Sequence, residues 1–230
     1  MAQEGEITLK AAQHSEEELS LLQLLDEAVS ELARALNSLG GTTPATVEVG
    51  YMFQLAVGIN KTAVGYLLLR KVGMDAASKL LIRPMLEATF SAAASEQTFL
   101  FQKAYTEWQD DNKLFVKTDA DRQAADKLWA DIVKQFRTER PACPLTEKKL
   151  RVQDVARIAG MQSSYEVQYR FYCKFTHSAL EAIQGHWDNL STPYDTRTAI
   201  LCVLKVLELL KTHTTAAVCD LGSFLVRIPK

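Results

Sequence analysis

Apolar residues in this chain recur three and four positions apart in one segment after another, the period of a helix face and not of a strand. The stretch 15–41 shows it most plainly. Ser15 followed by Glu18 reads as a capping box, Leu21, Leu22, Leu25, Val29 and Leu32 make one apolar stripe, and Gly40 and Gly41 stop the helix. No segment carries a convincing hairpin signal and no repeat period emerges. The predicted fold class is therefore all-α, a single bundle of six or seven helices. Residues 1–14 read as a flexible N-terminal segment and residues 15–230 as one helical-bundle domain.

A second helix is expected from Thr43 as N-cap, with Pro44 at the first helical position and Gly73 as the stop. Gly50, Gly58 and Gly65 share one side of it. Interior glycines cost ~1 kcal/mol each, so such a stripe predicts another helix packed very close, within the monomer or at a dimer seam. A third helix starts near Asp75, with Pro84 kinking it or marking a new start. Residues 119–140 read as a polar, exposed helix, residues 145–159 as a helix ended by Gly160, and residues 160–183 as an aromatic-rich helix. Residues 189–195 turn the chain into a last helical stretch over 196–225.

With 230 residues, 47% of them apolar and 23% charged, the chain has the composition of an ordinary globular protein with an ample core. The net charge of −2 leaves no global basic field to recruit nucleic acid, so any such contact must come from a local patch. Cys143, Cys173, Cys202 and Cys219 form no C-x-x-C pair, which reads as reduced thiols in a cytoplasmic protein. The polar, acidic start is not a signal peptide. The most apolar stretches, Val47–Leu69 and Ala199–Leu210, are interrupted by Gln54, Asn60 and Lys61, and by Lys205 and Glu208, so no membrane span is expected.

Two polar constellations fall where apolar residues belong. Arg83 and Glu87 stand at i, i+4 on a face shared with Ala76, Leu80, Phe90 and Ala94, and that face reads as buried. A buried ion pair is costly unless further partners satisfy it, which makes this one a bolt between helices or part of a site. Farther on, Tyr165, Tyr169, Tyr172 and Thr176 fall on one side of a helical wheel, with Ile183 on the same line, an aromatic stripe whose default meaning is core packing. Beside it run Glu166, Arg170, His177, Glu181 and Gln184. Arg170 and His177 differ by ~20° in azimuth and lie roughly 10 Å apart along the axis, so both could engage one phosphate-bearing ligand. His14, His186 and His213 read as surface or helix-end residues.

The order R-x-x-x-E on an early helix, then G…Y…Y…Y-x-x-x-T-H on a late one, resembles a group of uncharacterised bacterial all-helical families. It rests on Arg83, Glu87, Gly160, Tyr165, Tyr169, Tyr172 and His177 and spans Asp75 to Leu190; it implies a fold and no activity. The R-x6-H spacing from Arg170 to His177 is also similar to the motif of the HEPN superfamily, helical-bundle proteins, many of them dimeric, metal-independent RNA endonucleases of toxin–antitoxin and phage-defence systems. That resemblance implies a phosphate role for Arg170 and an acid–base role for His177 on the RNA 2′-hydroxyl or leaving oxygen. Phe171 departs from the polar residue many members carry there.

"VQDVARIAGMQSSYEVQYRFYCKF" also echoes the helix-turn-helix of arabinose-regulator-type transcription factors. Its second helix continues as an aromatic stripe instead of ending short and basic-fringed, so DNA is not an expected partner. No Walker, dinucleotide-binding, nucleophile-elbow or zinc-protease motif occurs, no E-x-x-H pair supports a di-iron bundle, and neither metal nor cofactor is expected. The expected function is a HEPN-like ribonuclease or a binder of RNA or nucleotide phosphate, with Arg170 and His177 as catalytic candidates and Arg83, Glu87, Tyr169, Tyr172 and Glu181 as the surrounding polar cluster. Its assembly would be a homodimer. The alternative is a non-catalytic helical module, antitoxin-, immunity- or scaffold-like, whose tyrosine-lined surface takes a protein partner.

Overall fold

The computed structural model describes residues 14–39, 47–95, 151–177, 192–213 and 221–228, with scattered positions between 118 and 138. Its architecture is all-α, with no strand among the described residues. The helices are α1 (Glu16–Leu39), α2 (Val47–Lys71), α3 (Asp75–Lys79), α4 (Ile82–Ala93), α5 (Val152–Ile158), α6, α7 (Thr192–His213) and α8 (Leu221–Arg227). Helix α6 has three parts: Gln162–Ser164, a π-helical turn over Tyr165–Tyr169, and Arg170–His177. The described positions from 119 to 138 are helical and exposed, as their polar sequence predicts.

Helices α1, α2, α4 and α7 form the centre, with α1 packed on α7 and α2, and α4 packed on α2 and α7. The predicted stripe of α1 is the heart of it: Leu21, Leu22, Leu25, Val29 and Leu32 are all buried. They meet Met52, Ile59, Ala63 and Tyr66 of α2, Met85 and Phe90 of α4, and Ile200, Val203, Leu207 and Leu210 of α7 in one cluster. Side chains of this kind stabilise by about 1.5–3 kcal/mol each when fully buried.

Glycine ends two helices as expected. Gly73 (φ 75°) closes α2 with Met74 N–H donating to Leu69 O and Gly73 N–H to Arg70 O, and Gly160 (φ 69°) repeats the arrangement after α5. Both are Schellman caps, which need a left-handed residue and so favour glycine. Pro84 falls in the first turn of α4, where its missing N–H costs nothing, so the expected break is a new start after Leu80–Leu81.

Four expectations are corrected. The capping box at Ser15 is half formed: Glu18 N–H donates to Ser15 Oγ, but the Glu18 carboxylate turns inward to Arg70 and His14. His14 is accordingly no surface residue; it is held by Glu18 and by the Arg70 carbonyl. The glycine stripe of α2 does not mark one close helix contact. A Cβ at Gly65 would meet Leu81 at 3.3 Å, whereas at Gly58 it would meet nothing within 4 Å. The turn expected at 189–195 gives way by Thr192 to α7, with Pro193 in its first turn.

Helix α2 also bears on the membrane question. The segment Val49–Lys71 reaches a mean hydropathy of 1.3 over an 18-residue window, enough by length and composition to cross a bilayer, because three polar interruptions dilute it too little. A third of that window is buried, where the helix packs against α1 and α4, and Arg70 near its end is fully buried.

Candidate functional site at the junction of α4 and α6

Arg83 and Glu87 project from α4 toward the tyrosines of α6. Arg83 Nε donates to Glu87 Oε1 at 3.0 Å, and the Tyr169 hydroxyl donates to the same oxygen at 2.7 Å. The Arg83 guanidinium lies 5.7 Å from the centre of the Tyr169 ring, a cation–π approach. Tyr165 stacks on Tyr169 with centroids 5.1 Å apart and planes 20° apart, and Phe90 meets Tyr169 edge-on. Burial, and then the bond to Glu87, push the Tyr169 phenol up, so it stays protonated and donates. The expected meeting of the R-x-x-x-E helix with the tyrosine helix is therefore real, through Tyr169.

The pair is not sealed in the core as its face predicted. The side chains of Arg83 and Glu87 are 26% and 38% exposed. The reason is the break at Leu80–Leu81: α3 and α4 are separate helices, so Ala76 and Leu80 do not continue the face of Arg83. Leu80 is in fact exposed, while Phe90 and Ala94 are buried.

The tyrosine stripe is divided as well. The π turn over Tyr165–Tyr169 bonds i to i+5 and rotates the later residues of α6 relative to an unbroken α-helix. Tyr169, carrying Tyr165 stacked on it, addresses α4, while Tyr172 addresses α7, its hydroxyl donating to Asp195 Oδ1 at 2.6 Å. Gln168 adds a bond to Thr198 of α7. Tyr169 and Tyr172 are core residues, and Arg170 between them is exposed. His177 is the last described residue of α6, with its side chain outside the described set, as are Glu181, Thr176, Ile183 and Gln184. Arg151 lies near Tyr165 and its Nε donates to Asp154 at 3.0 Å, a carboxylate that Arg157 also reaches at 3.8 Å.

A second polar centre, unforeseen from the sequence, lies inside the bundle. Arg70 is fully buried and faces Glu18 of α1 and Asp75 of α3, the latter at 2.6 Å. Lys79, also buried, lies 3.9 Å from Asp195 of α7, and the Tyr66 hydroxyl bonds to Thr196 at 2.9 Å. Burial pushes the Asp195 carboxyl up to about 6 and the Tyr66 and Tyr172 phenols above their ordinary range. The signal was present at one residue. Tyr66 and Arg70 continue the buried line of Ile59 and Ala63 at helical spacing, so a charge stands on a core stripe. Asp195 was hidden by its reading as part of a turn. Among the described residues no group of three His, Cys, Asp or Glu could hold a metal ion.

Fold and site together define an all-helical bundle with a half-exposed arginine–glutamate–tyrosine junction above a buried ionic core. A family model for a family of unknown function, DUF5677, matches residues 50–192, more than half of the chain, and the chain belongs to that family. Comparison with the curated proteins and with the solved structures found no match.

Proposed function

We propose that the junction of α4 and α6 engages the phosphate backbone of RNA or of a nucleotide, in the manner of the HEPN superfamily, with Arg170 on the phosphate and His177 as the acid–base group. The observation that carries this reading is the half-exposed Arg83 laid over Tyr169, on which Tyr165 stacks, one residue from the exposed Arg170. Tyr165, half-buried above the core residue Tyr169, supplies a ring for a base and the guanidinium groups beside it supply charge for phosphates, the two contacts that single-stranded nucleic acid uses. Arg151 and Arg157 share the one carboxylate of Asp154, which leaves this edge locally cationic in a chain of net charge −2. Glu87 is already held by Arg83 and Tyr169, so it acts here as the anchor that orients the guanidinium. The setting this reading implies is a homodimer in phage defence or a toxin–antitoxin pair.

The test is RNA cleavage in EDTA by wild type, Arg170→Ala and His177→Ala, each checked for helix content by circular dichroism. Loss of at least a hundredfold in rate in both folded variants is expected for an acid–base residue and its phosphate partner. Absence of cleavage and of salt-dependent RNA binding by the wild type would sink the reading. The non-catalytic protein-binding alternative would then stand, and the exposed Val167 beside these tyrosines favours it.

A further inference from the structure

Three carboxylates and two cations meet inside the bundle: Glu18, Asp75 and Asp195 against Arg70 and Lys79. Three negative charges less two positive ones leave one excess negative charge when all five are ionised. Away from water such an excess is costly, and a single proton removes it. Glu18 and Asp75 both close on Arg70. Asp195 is placed differently: its Oδ1 accepts from Tyr172, while its Oδ2, which like Glu18 Oε1 and Asp75 Oδ1 accepts no hydrogen bond, has no guanidinium closed on it and stands 3.9 Å from Lys79, beyond hydrogen-bond reach. Oδ2 is thus the oxygen open to a proton.

Tyr172 belongs to α6, two residues after Arg170 and five before His177. The other groups facing Asp195 are Tyr66 and Arg70 from α2 and Asp75 and Lys79 from α3, with Glu18 and His14 beyond Arg70; of these the Asp75 side chain is 29% exposed. Helix α6 covers the Oδ1 side of the buried Asp195 through Tyr172, so lifting it opens that side to water.

We propose that Asp195 is a proton-operated lock on α6: protonated, it leaves the cluster neutral and α6 seated on α7 through Tyr172; ionised, it favours the opening of α6 and so the displacement of Arg170 and His177. The phenol bonds the ionised carboxylate more strongly than the neutral one, which opposes opening. Burial outweighs that bond, in keeping with the upward shift of the Asp195 carboxyl to about 6. That shift fixes the sign. A carboxyl raised in the folded state stabilises fully below its unfolded value of 3.8, and that stabilisation is lost as pH rises through about 6. The lock operates whether or not α6 engages RNA.

The experiment is hydrogen exchange of the full chain, monitored by mass spectrometry over residues 162–177 between pH 4 and pH 8 and corrected for intrinsic exchange rates. In the wild type the opening equilibrium should rise by up to about tenfold per pH unit between the unfolded value of 3.8 and about 6, the slope of one released proton, and level off above that. Asp195→Asn should flatten it. His14→Gln should leave it in place, which separates Asp195 from the imidazole that contacts Glu18 in the same cluster. A flat wild-type profile, or an unchanged slope in Asp195→Asn, would overturn the proposal. Should Asp195→Asn not fold, carboxyl carbon NMR of the wild type decides: a titration of Asp195 near 6 supports the lock, and one at or below 4 ends it.

Discussion

Arg70 is where the interior polar contacts converge, since it links α1 through Glu18 and α3 through Asp75 while its carbonyl accepts from the ring of His14. Replacing it by methionine keeps the apolar stem and removes the charge, which leaves the buried Glu18 and the partly exposed Asp75 without their cation. Breaking a buried pair in this way costs about 3–5 kcal/mol. Arg70→Met should therefore lose a large part of the folding free energy, read as the urea midpoint. Tyr169→Phe is a milder change: it deletes one hydrogen bond to a half-exposed Glu87, about 1 kcal/mol by the same measurement. Equal costs for the two variants would contradict the division into a buried ionic core and a half-exposed junction. Arg70 was readable as a charge on a core stripe. What it pairs with was not, because Glu18 lies 52 positions earlier and local rules already gave it a capping role.

Helices announce themselves in this chain, and so do their ends. Gly73 and Gly160 were legible as stops because a left-handed residue is a local backbone requirement. Gly160→Ala should cost about 1–2 kcal/mol for the backbone alone, since its new methyl would meet nothing within 4 Å. Gly58→Ala should do the opposite. It sits in a helix interior with open space around it, and replacing a glycine there should raise stability by about 0.4–1 kcal/mol in thermal unfolding. A loss at Gly58 would restore the close helix contact that the glycine stripe first implied. The π turn of α6 had no such herald. No residue type encodes it, and that Tyr169 goes to α4 and Tyr172 to α7 became visible only against those neighbours.

The helices that complete the core come from opposite ends of the chain. α1 packs on α7, and both lie wholly or almost wholly outside the 50–192 match to the family. They also bring Glu18 and Asp195 to the ionic centre. A fragment limited to residues 50–192 should therefore lack cooperative unfolding and much of its helix content, as judged by circular dichroism during heating. Cooperative melting of that fragment would show that α1 and α7 are dispensable. By contrast, the exposed pairing of Arg227 in α8 with Glu27 in α1, at 2.6 Å, should be neutral: Arg227→Ala is expected to leave the melting temperature unchanged.

Helix positions, the buried stripe of α1 and the glycine stops could all be read from the order of residues, because periodicity and capping act over a few positions. The half-exposure of the junction of α4 and α6, the division of the tyrosines and the ionic centre around Arg70 and Asp195 arose from tertiary packing. Each of these depends on which distant groups share a place out of water, and the Coulomb and desolvation energies that decide it take no account of separation along the chain.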